Sequence, residues 1–175
     1  DYRIVPWCSR CGTGLSSHEL AQGYVDVKDL SVYAKFKLIG FDKAYFLAWT
    51  TTPWTLPGNV ALAVGADMEY VEAKVGDEIF VLAKERLSII SEPYEIIATH
   101  KGSEMVGMKY EPLYPYFLEL NKDDEKNEKA FQIYTADFVT SEDGTGIVHT
   151  AVMYGADDFA LGTAFDHPKF HLLKE

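Results

Sequence analysis

Ser31-Val32-Tyr33-Ala34-Lys35-Phe36-Lys37-Leu38-Ile39 decides the fold class. Val32, Ala34, Phe36 and Leu38 fall on one side of an extended chain, and Tyr33, Lys35 and Lys37 on the other. Successive side chains of a strand point to opposite faces, so this period of two marks a strand with one buried face. Outward from it, Tyr45 to Trp49 and Val60 to Val64 are short apolar runs of buried-strand length. Glu69 to Val75, Glu78 to Ala83, Tyr94 to Thr99, Phe131 to Tyr134 and Ile147 to Thr150 are further strands, rich in Val, Ile, Tyr and Phe. Val75-Gly76-Asp77 reads as a hairpin turn, because glycine supplies the positive φ such turns need. Helix is sparse: a short one over Ala83 to Ile90, a single turn over Ser103 to Val106 capped by Ser103, and one over Ala156 to Leu161 opened by Asp157 and Asp158. Many short strands and few helices predict a mainly β protein, a closed β-barrel with a few short peripheral helices. The absence of a long amphipathic pattern counts against a doubly wound α/β sheet.

The length, 175 residues, fits one domain with a core of its own, and 47% hydrophobic with 25% charged residues excludes wholesale disorder. The longest apolar runs, such as Ala44 to Trp49, fall far short of a membrane span of about 20 residues. Asp1-Tyr2-Arg3-Ile4-Val5-Pro6 carries no basic-then-apolar signal pattern, and a start at Asp1 reads as a cut from a longer chain. The net charge of −11 argues against gripping a nucleic-acid duplex over a broad face, which needs a basic patch to displace counterions. Two cysteines, Cys8 and Cys11, make no disulfide framework and favour an intracellular origin. Glu119 to Lys129 is the one low-hydrophobicity stretch and reads as a solvated loop; the sequence after Leu161 loses strand pattern and reads as a boundary. The organisation expected is residues 1–22 as a leading segment with half a zinc knuckle, 23–165 as the β-barrel, and 166–175 as a boundary or cut end.

Thr50-Thr51-Thr52-Pro53-Trp54-Thr55-Leu56-Pro57-Gly58-Asn59 is the most unusual segment. Two prolines stiffen it, and four hydroxyls and a carboxamide crowd ten positions between two core strands. Such a loop can present hydroxyls and N–H groups to a small polar ligand, or its threonines can satisfy their own backbone. Gly144-Thr145-Gly146-Ile147-Val148-His149-Thr150-Ala151 runs from a glycine turn into a strand, and Tyr154-Gly155-Ala156-Asp157-Asp158 follows. His149 reads either as a satisfied core histidine or as part of a site. Asp157 and Asp158 read as helix-opening acids, one of which can face a pocket. A strand carrying His149 and a helix start carrying Asp158 can aim both side chains at one place, where a carboxylate holds an ammonium and an imidazole shapes a pocket or handles protons.

Leu47-Ala48-Trp49 with the threonine segment through Asn59 resembles the threonine-rich motif of the editing domain of isoleucyl-tRNA synthetases. The Gly144 to Asp158 stretch resembles the second motif of that domain. The two lie in the expected order about ninety residues apart, and the resemblance covers nearly the whole chain. Val5-Pro6-Trp7-Cys8-Ser9-Arg10-Cys11-Gly12 through Ser16-Ser17-His18-Glu19 also looks like the start of the same insertion. Valine and leucine relatives typically carry an arginine after their threonines, where this chain has Thr52-Pro53. Val152-Met153 departs from the proline many members have after the alanine.

The resemblance implies a closed β-barrel and a hydrolase that cleaves the ester joining valine to tRNA(Ile), with valyl-adenylate as a second substrate of the same site. One methylene gives limited discrimination in an apolar pocket, a problem for which isoleucyl-tRNA synthetase is itself the standard illustration, and a second site that hydrolyses smaller products answers it. The alternative is a non-catalytic module of the same fold that binds an aminoacyl group or RNA 3' end. Under the resemblance Asp158, Thr52 and His149 are catalytic: Asp158 binds the α-ammonium, His149 lines the side-chain pocket, and Thr52 helps position the water. Thr50, Thr51, Thr55, Asn59, Trp54 and Gly146 bind the terminal adenosine and its amino acid. No metal is expected in the editing chemistry. Cys8 and Cys11 are half of a zinc site, to be completed by ligands outside this chain, with His18 as a further candidate; zinc is expected to bind them weakly or not at all here. ATP belongs to the parent enzyme. The implied partners are the aminoacylated end of tRNA(Ile) and the rest of the synthetase, in a cytoplasmic monomer.

Overall fold

The structure, a computed structural model, describes residues 4–172. Residues 1–3 and 173–175, the extremes of the expected leading and closing segments, lie outside the described residues. In chain order the strands are β1 (Trp7–Cys8), β2 (Thr13–Gly14), β3 (Val32–Lys37), β4 (Ala44–Thr50), β5 (Ala61–Val64), β6 (Glu69–Val75), β7 (Glu78–Ala83), β8 (Glu95–Lys101), β9 (Ile133–Thr135) and β10 (Ile147–Thr150). Three short helices accompany them: α1 (Ser17–Ala21), α2 (Tyr116–Leu120) and α3 (Ala156–Ala164). The protein is therefore mainly β with few helices.

The period of two in β3 is realised: Ala34, Phe36 and Leu38 are buried, while Tyr33 and Lys35 are exposed. β4 lies between β3 and β7 and buries Ala44, Phe46, Leu47, Ala48 and Thr50, so both of its faces are covered. One sheet has the order β3-β4-β7-β6-β8, with β4 and β7 parallel and the other pairs antiparallel. A second has the order β10-β5-β9, with Ala61 to Val64 wholly buried in its middle. β1 and β2 form a separate hairpin around the cysteines. The core between the two larger sheets is filled by Phe36, Phe46, Leu62, Tyr70, Tyr110, Phe117, Ile133 and Ile147. Phe36 meets Tyr110 edge to face at 5.2 Å, and removing a buried ring of this kind costs about 3–5 kcal/mol.

The closed barrel expected from the strand pattern is not met as a closed ladder: among the described residues no sheet is closed on itself. Single contacts join the two larger sheets instead. On one side Leu38 bridges Tyr110 and Lys109 bridges Gln132. On the other the Ala83 N–H donates to the Thr145 carbonyl at 2.8 Å. Strand pattern shows which residues pair in sheets but not how the edges meet.

Local departures have local causes. The expected helix over Ala83 to Ile90 is a 3-10 segment over Lys84–Ile89. Ser103 does not cap its turn: the 3-10 turn is Gly102–Glu104, and Glu104 returns its carboxylate to the Lys101 N–H at 2.7 Å. α1 was readable from Ser16-Ser17-His18-Glu19, since Ser16 Oγ accepts from the Glu19 N–H and Glu19 Oε2 accepts from the Ser16 N–H, a reciprocal capping box. The charged stretch from Glu119 contains the end of α2 and a 3-10 segment, Glu125–Lys129, organised by Asn121 and Asn127. The segment after α3 is not a loose end. His167 and Pro168 are buried, His167 packs against Tyr134, and Phe170 meets Phe117. No helix among the described residues is long and apolar enough to cross a membrane.

Candidate active site

β4 delivers Trp49 and Thr50 to the rim of the two larger sheets, and the chain leaves it through the threonines. Pro53 then starts a 3-10 helix, Pro53–Gly58, and its missing N–H costs nothing at that first position. That helix returns the chain to Asn59 and β5. β10 pairs antiparallel with β5, His149 opposite Leu62, so the second motif is laid directly beside the first. Gly155 then opens α3, placing Asp158 in its first turn.

A cleft of about 390 Å³ lies where these pieces meet. Thr50, Thr51, Thr52, Thr55, Gly146, His149 and Asp158 line it together. The sequence reading did not assign Trp49, Phe138, Thr140, Asp143 or Tyr154 to it, yet they line it as well. Trp49 and Tyr154 stood inside the quoted motifs and could have been chosen; Phe138 and Thr140 carry no pattern that marks them. A larger depression of about 460 Å³ beside Met68 and Ala83 contains none of the expected site residues.

Two expected residues lie elsewhere. Trp54 is 65% exposed and borders a separate small apolar depression with Pro57, Tyr154 and Leu172. Asn59 is buried behind His149 instead of lining the cleft. Its Nδ2 donates to the Ala61 carbonyl at 2.9 Å and to His149 Nδ1 at 3.0 Å, and its Oδ1 accepts from the Tyr110 hydroxyl at 2.7 Å. A carbonyl only accepts, so the Ala61 contact fixes which end of the amide is nitrogen. Nδ1 of His149 must then be the acceptor, and its proton sits on Nε2. Nε2 lies 2.9 Å from Thr55 Oγ1, to which it donates, and the Thr55 hydroxyl donates onward to the Thr52 carbonyl at 2.8 Å.

The chain of bonds from Tyr110 to Thr52 therefore has one consistent direction and fixes the imidazole in one tautomer. Burial pushes His149 down to about 4, so it is neutral at physiological pH. Both of its nitrogens are used, which leaves ring carbons to face the cleft. Among the described residues Thr52 Oγ1 has only long contacts, 3.3 Å to Thr50 Oγ1 and 3.4 Å to Thr55 Oγ1, so its hydroxyl is free to take a stronger partner.

Asp158 Oδ2 accepts from the Ala151 N–H at 3.0 Å, which ties the start of α3 to the end of β10. Burial raises its pKa; the Ala151 bond opposes this and Asp157 adds to it. Its second oxygen has no partner among the described residues. Gly155 is needed beside it, because a Cβ there would lie 2.9 Å from Asp158 Oδ2. The opposite wall depends on Gly144 and Gly146, with φ of +64° and +73°. A side chain at Gly144 would also sit 2.9 Å from the Trp49 ring.

Cys8 and Cys11 lie on the hairpin of β1 and β2, where the Cys11 N–H reaches Cys8 Sγ at 3.4 Å and, with the neighbouring backbone, lowers the thiol's pKa. His18 pairs with Gln22. Among the described residues no three His, Cys, Asp or Glu side chains are grouped to hold a metal.

No family model matches the chain. It is 52% identical over 158 residues to the isoleucine–tRNA ligase of Clostridium tetani, covering 90% of this chain and 15% of that protein. It is 49% identical over 172 residues to that of Clostridium acetobutylicum, covering 98% and 16%. The ligase of Picrophilus torridus is 50% identical over 167 residues, covering 94% and 15%. The chain is thus homologous to one segment of isoleucine–tRNA ligases and spans 15–16% of the length of these curated relatives. Among solved structures, GlLeuRS-CP1 matches with a TM-score of 0.62 at 18% identity, over 77% of this chain and 59% of that one. The editing domain of the P. falciparum cytosolic leucyl-tRNA synthetase matches with a TM-score of 0.52 at 16% identity, over 70% and 46%. The fold is that of the leucyl-tRNA synthetase editing domains.

Proposed function

We propose that this chain is the editing segment of an isoleucine–tRNA ligase and hydrolyses the ester between valine and the terminal adenosine of tRNA(Ile). The observation that carries this reading is the convergence of the threonine hydroxyls, His149 and Asp158 in one cleft, in a chain homologous to those ligases. The free oxygen of Asp158 receives the substrate ammonium, whose charge offsets the burial that raises the carboxyl's pKa. The ring of His149, held by both nitrogens, is the wall against which valine fits and isoleucine, one methylene longer, does not. It acts as a filter and not as a proton acceptor. Thr52, whose hydroxyl is weakly engaged, holds the water, and Thr50 and Thr51 meet the adenosine beside it. The catalysis is then chiefly positioning and electrostatic stabilisation.

In this reading the two larger sheets are halves of one barrel wall, joined through Tyr110 on one side and Thr145 on the other. Valyl-adenylate is a second substrate of the same cleft. The rest of the ligase uses ATP and holds the tRNA body, and the whole acts in the cytoplasm as a monomer. Cys8 and Cys11 contribute to a zinc site only with ligands from outside this chain, so the 175-residue protein should purify without stoichiometric zinc.

The test is deacylation of valyl-tRNA(Ile) by the full-length ligase, wild type against Asp158→Ala. The variant is expected to accumulate valyl-tRNA(Ile). Deacylation at the wild-type rate would remove Asp158 from the reaction.

A further inference from the structure

Arg86 lies outside both motifs, in the 3-10 segment that follows β7, and makes no ion pair among the described residues. Its Nε donates to the Gly144 carbonyl at 2.8 Å and its Nη1 to the Glu142 carbonyl at 3.0 Å. Together with the Ala83 N–H on the Thr145 carbonyl, three carbonyls of the cleft loop are drawn to one side, toward residues 83–86. Every peptide here is trans, and in a planar trans peptide the carbonyl and the next N–H point to opposite edges. The Gly144–Thr145 peptide therefore turns the Thr145 N–H away from Arg86. That N–H has no hydrogen-bond acceptor among the described residues, although Thr145 is buried and lines the cleft. Buried backbone donors are almost always paired. One left open at a cleft wall is a donor waiting for a ligand oxygen.

We propose that Arg86 is a positioning residue that aims the Thr145 N–H at the carbonyl oxygen of the scissile ester. This rests on the hydrolysis proposed above. When water oxygen bonds to the ester carbon, the carbonyl π pair moves onto oxygen, and the Thr145 N–H receives that negative charge. Collapse breaks the bond to the ribose oxygen, which takes a proton derived from the attacking water, and releases the amino acid and the ribose hydroxyl. The donor serves charge that exists only in the transition state, so its loss lowers kcat and leaves KM in place.

The experiment measures kcat and KM for valyl-tRNA(Ile) deacylation by the full-length ligase, as wild type, Arg86→Met and Arg86→Lys, with thermal melting of each. Arg86→Met is expected to lower kcat about 100-fold, the scale for a lost or misplaced oxyanion donor, at unchanged KM. Arg86→Lys, which can serve one carbonyl, should recover part of that loss. A raised KM with normal kcat would mean that Arg86 only shapes the wall, and would overturn the proposal. Wild-type constants in Arg86→Lys would overturn it even should Arg86→Met fail to fold, since one carbonyl contact would then suffice. A wild-type ligase that does not hydrolyse valyl-tRNA(Ile) would instead defeat the proposed function, whatever the Arg86 variants do.

Discussion

Asn59→Asp tests the direction of the hydrogen-bond chain behind the cleft. In the native protein the Asn59 amide nitrogen donates to His149 Nδ1 at 3.0 Å, and this forces the ring proton onto Nε2. Aspartate has no donor to offer. The Ala61 carbonyl keeps the Thr150 hydroxyl at 2.9 Å as a partner, and the Tyr110 hydroxyl can still donate to a carboxylate. The carboxylate then faces two acceptors, the Ala61 carbonyl and Nδ1 of His149, and of these only Nδ1 can take a proton. If Nε2 keeps its own proton, its bond to Thr55 survives and the ring becomes an imidazolium. Burial opposes that charge: holding the ring near 4 in place of 6.5 amounts to about 3 kcal/mol. A carboxylate about 3 Å away, in surroundings of effective dielectric about 20, attracts it by about 5 kcal/mol. Attraction wins, and His149 in the variant should be charged at pH 7, at a net cost in stability because the new carboxylate is itself buried. Imidazole proton–nitrogen NMR of the 175-residue chain reads the result. The wild type should show one ring proton, on Nε2, from pH 6 to 8, and Asn59→Asp should show two at pH 7. A variant ring still carrying a single Nε2 proton would refute the assigned direction and the argument that His149 is fixed by Asn59.

Tyr110→Phe removes one hydroxyl and leaves Asn59 Oδ1 buried without its donor; the expected loss is about 1–3 kcal/mol in urea denaturation, and a loss near zero would show that the hydroxyl is not part of the chain. Gly146→Ala places a side chain at a φ of +73° and against Ala83; strain alone is about 1–3 kcal/mol, so an unchanged melting temperature would contradict the described loop. Burial holds both His149 and His167 near 4 when folded, below their value in the unfolded chain. The unfolded form thus takes up protons first, so stability is full above about pH 6.5 and falls as pH drops from there toward 4; a melting temperature that stays flat between pH 7 and 5 would rule this out.

Several strands were legible to the residue. Glu69–Val75, Glu78–Ala83 and Ile147–Thr150 have the bounds expected, because alternation or an apolar run ends there at a glycine or charged turn. Of the two motifs, Thr50, Thr51, Thr52, Thr55, His149 and Asp158 share one cleft. What could not be read depends on distance in the chain. Asn59 stands in the threonine motif like its neighbours, but Tyr110, fifty-one residues away, turns it inward. Arg86 reads as one more charge on a short helix until Gly144 is folded against it. How the sheet edges meet could not be read for the same reason: Leu38 pairs with Tyr110 and Lys109 with Gln132 through isolated bridges that leave no periodic trace.

The pairing of β5 with β10 also sets when the cleft can exist. Ala61 and Thr150 are partners eighty-nine residues apart, and β9 reaches β5 only after the strands β6, β7 and β8 between them have been made. Closing so long a loop comes before any reward from the contacts it brings, so folding should be slow for a protein of this size. During synthesis the threonine segment emerges before its second wall, and its hydroxyls wait until Gly144 to Asp158 leaves the ribosome. Because lengthening a loop costs only slowly more, the charged stretch between α2 and β9 is where insertions would be tolerated without delaying that docking much further.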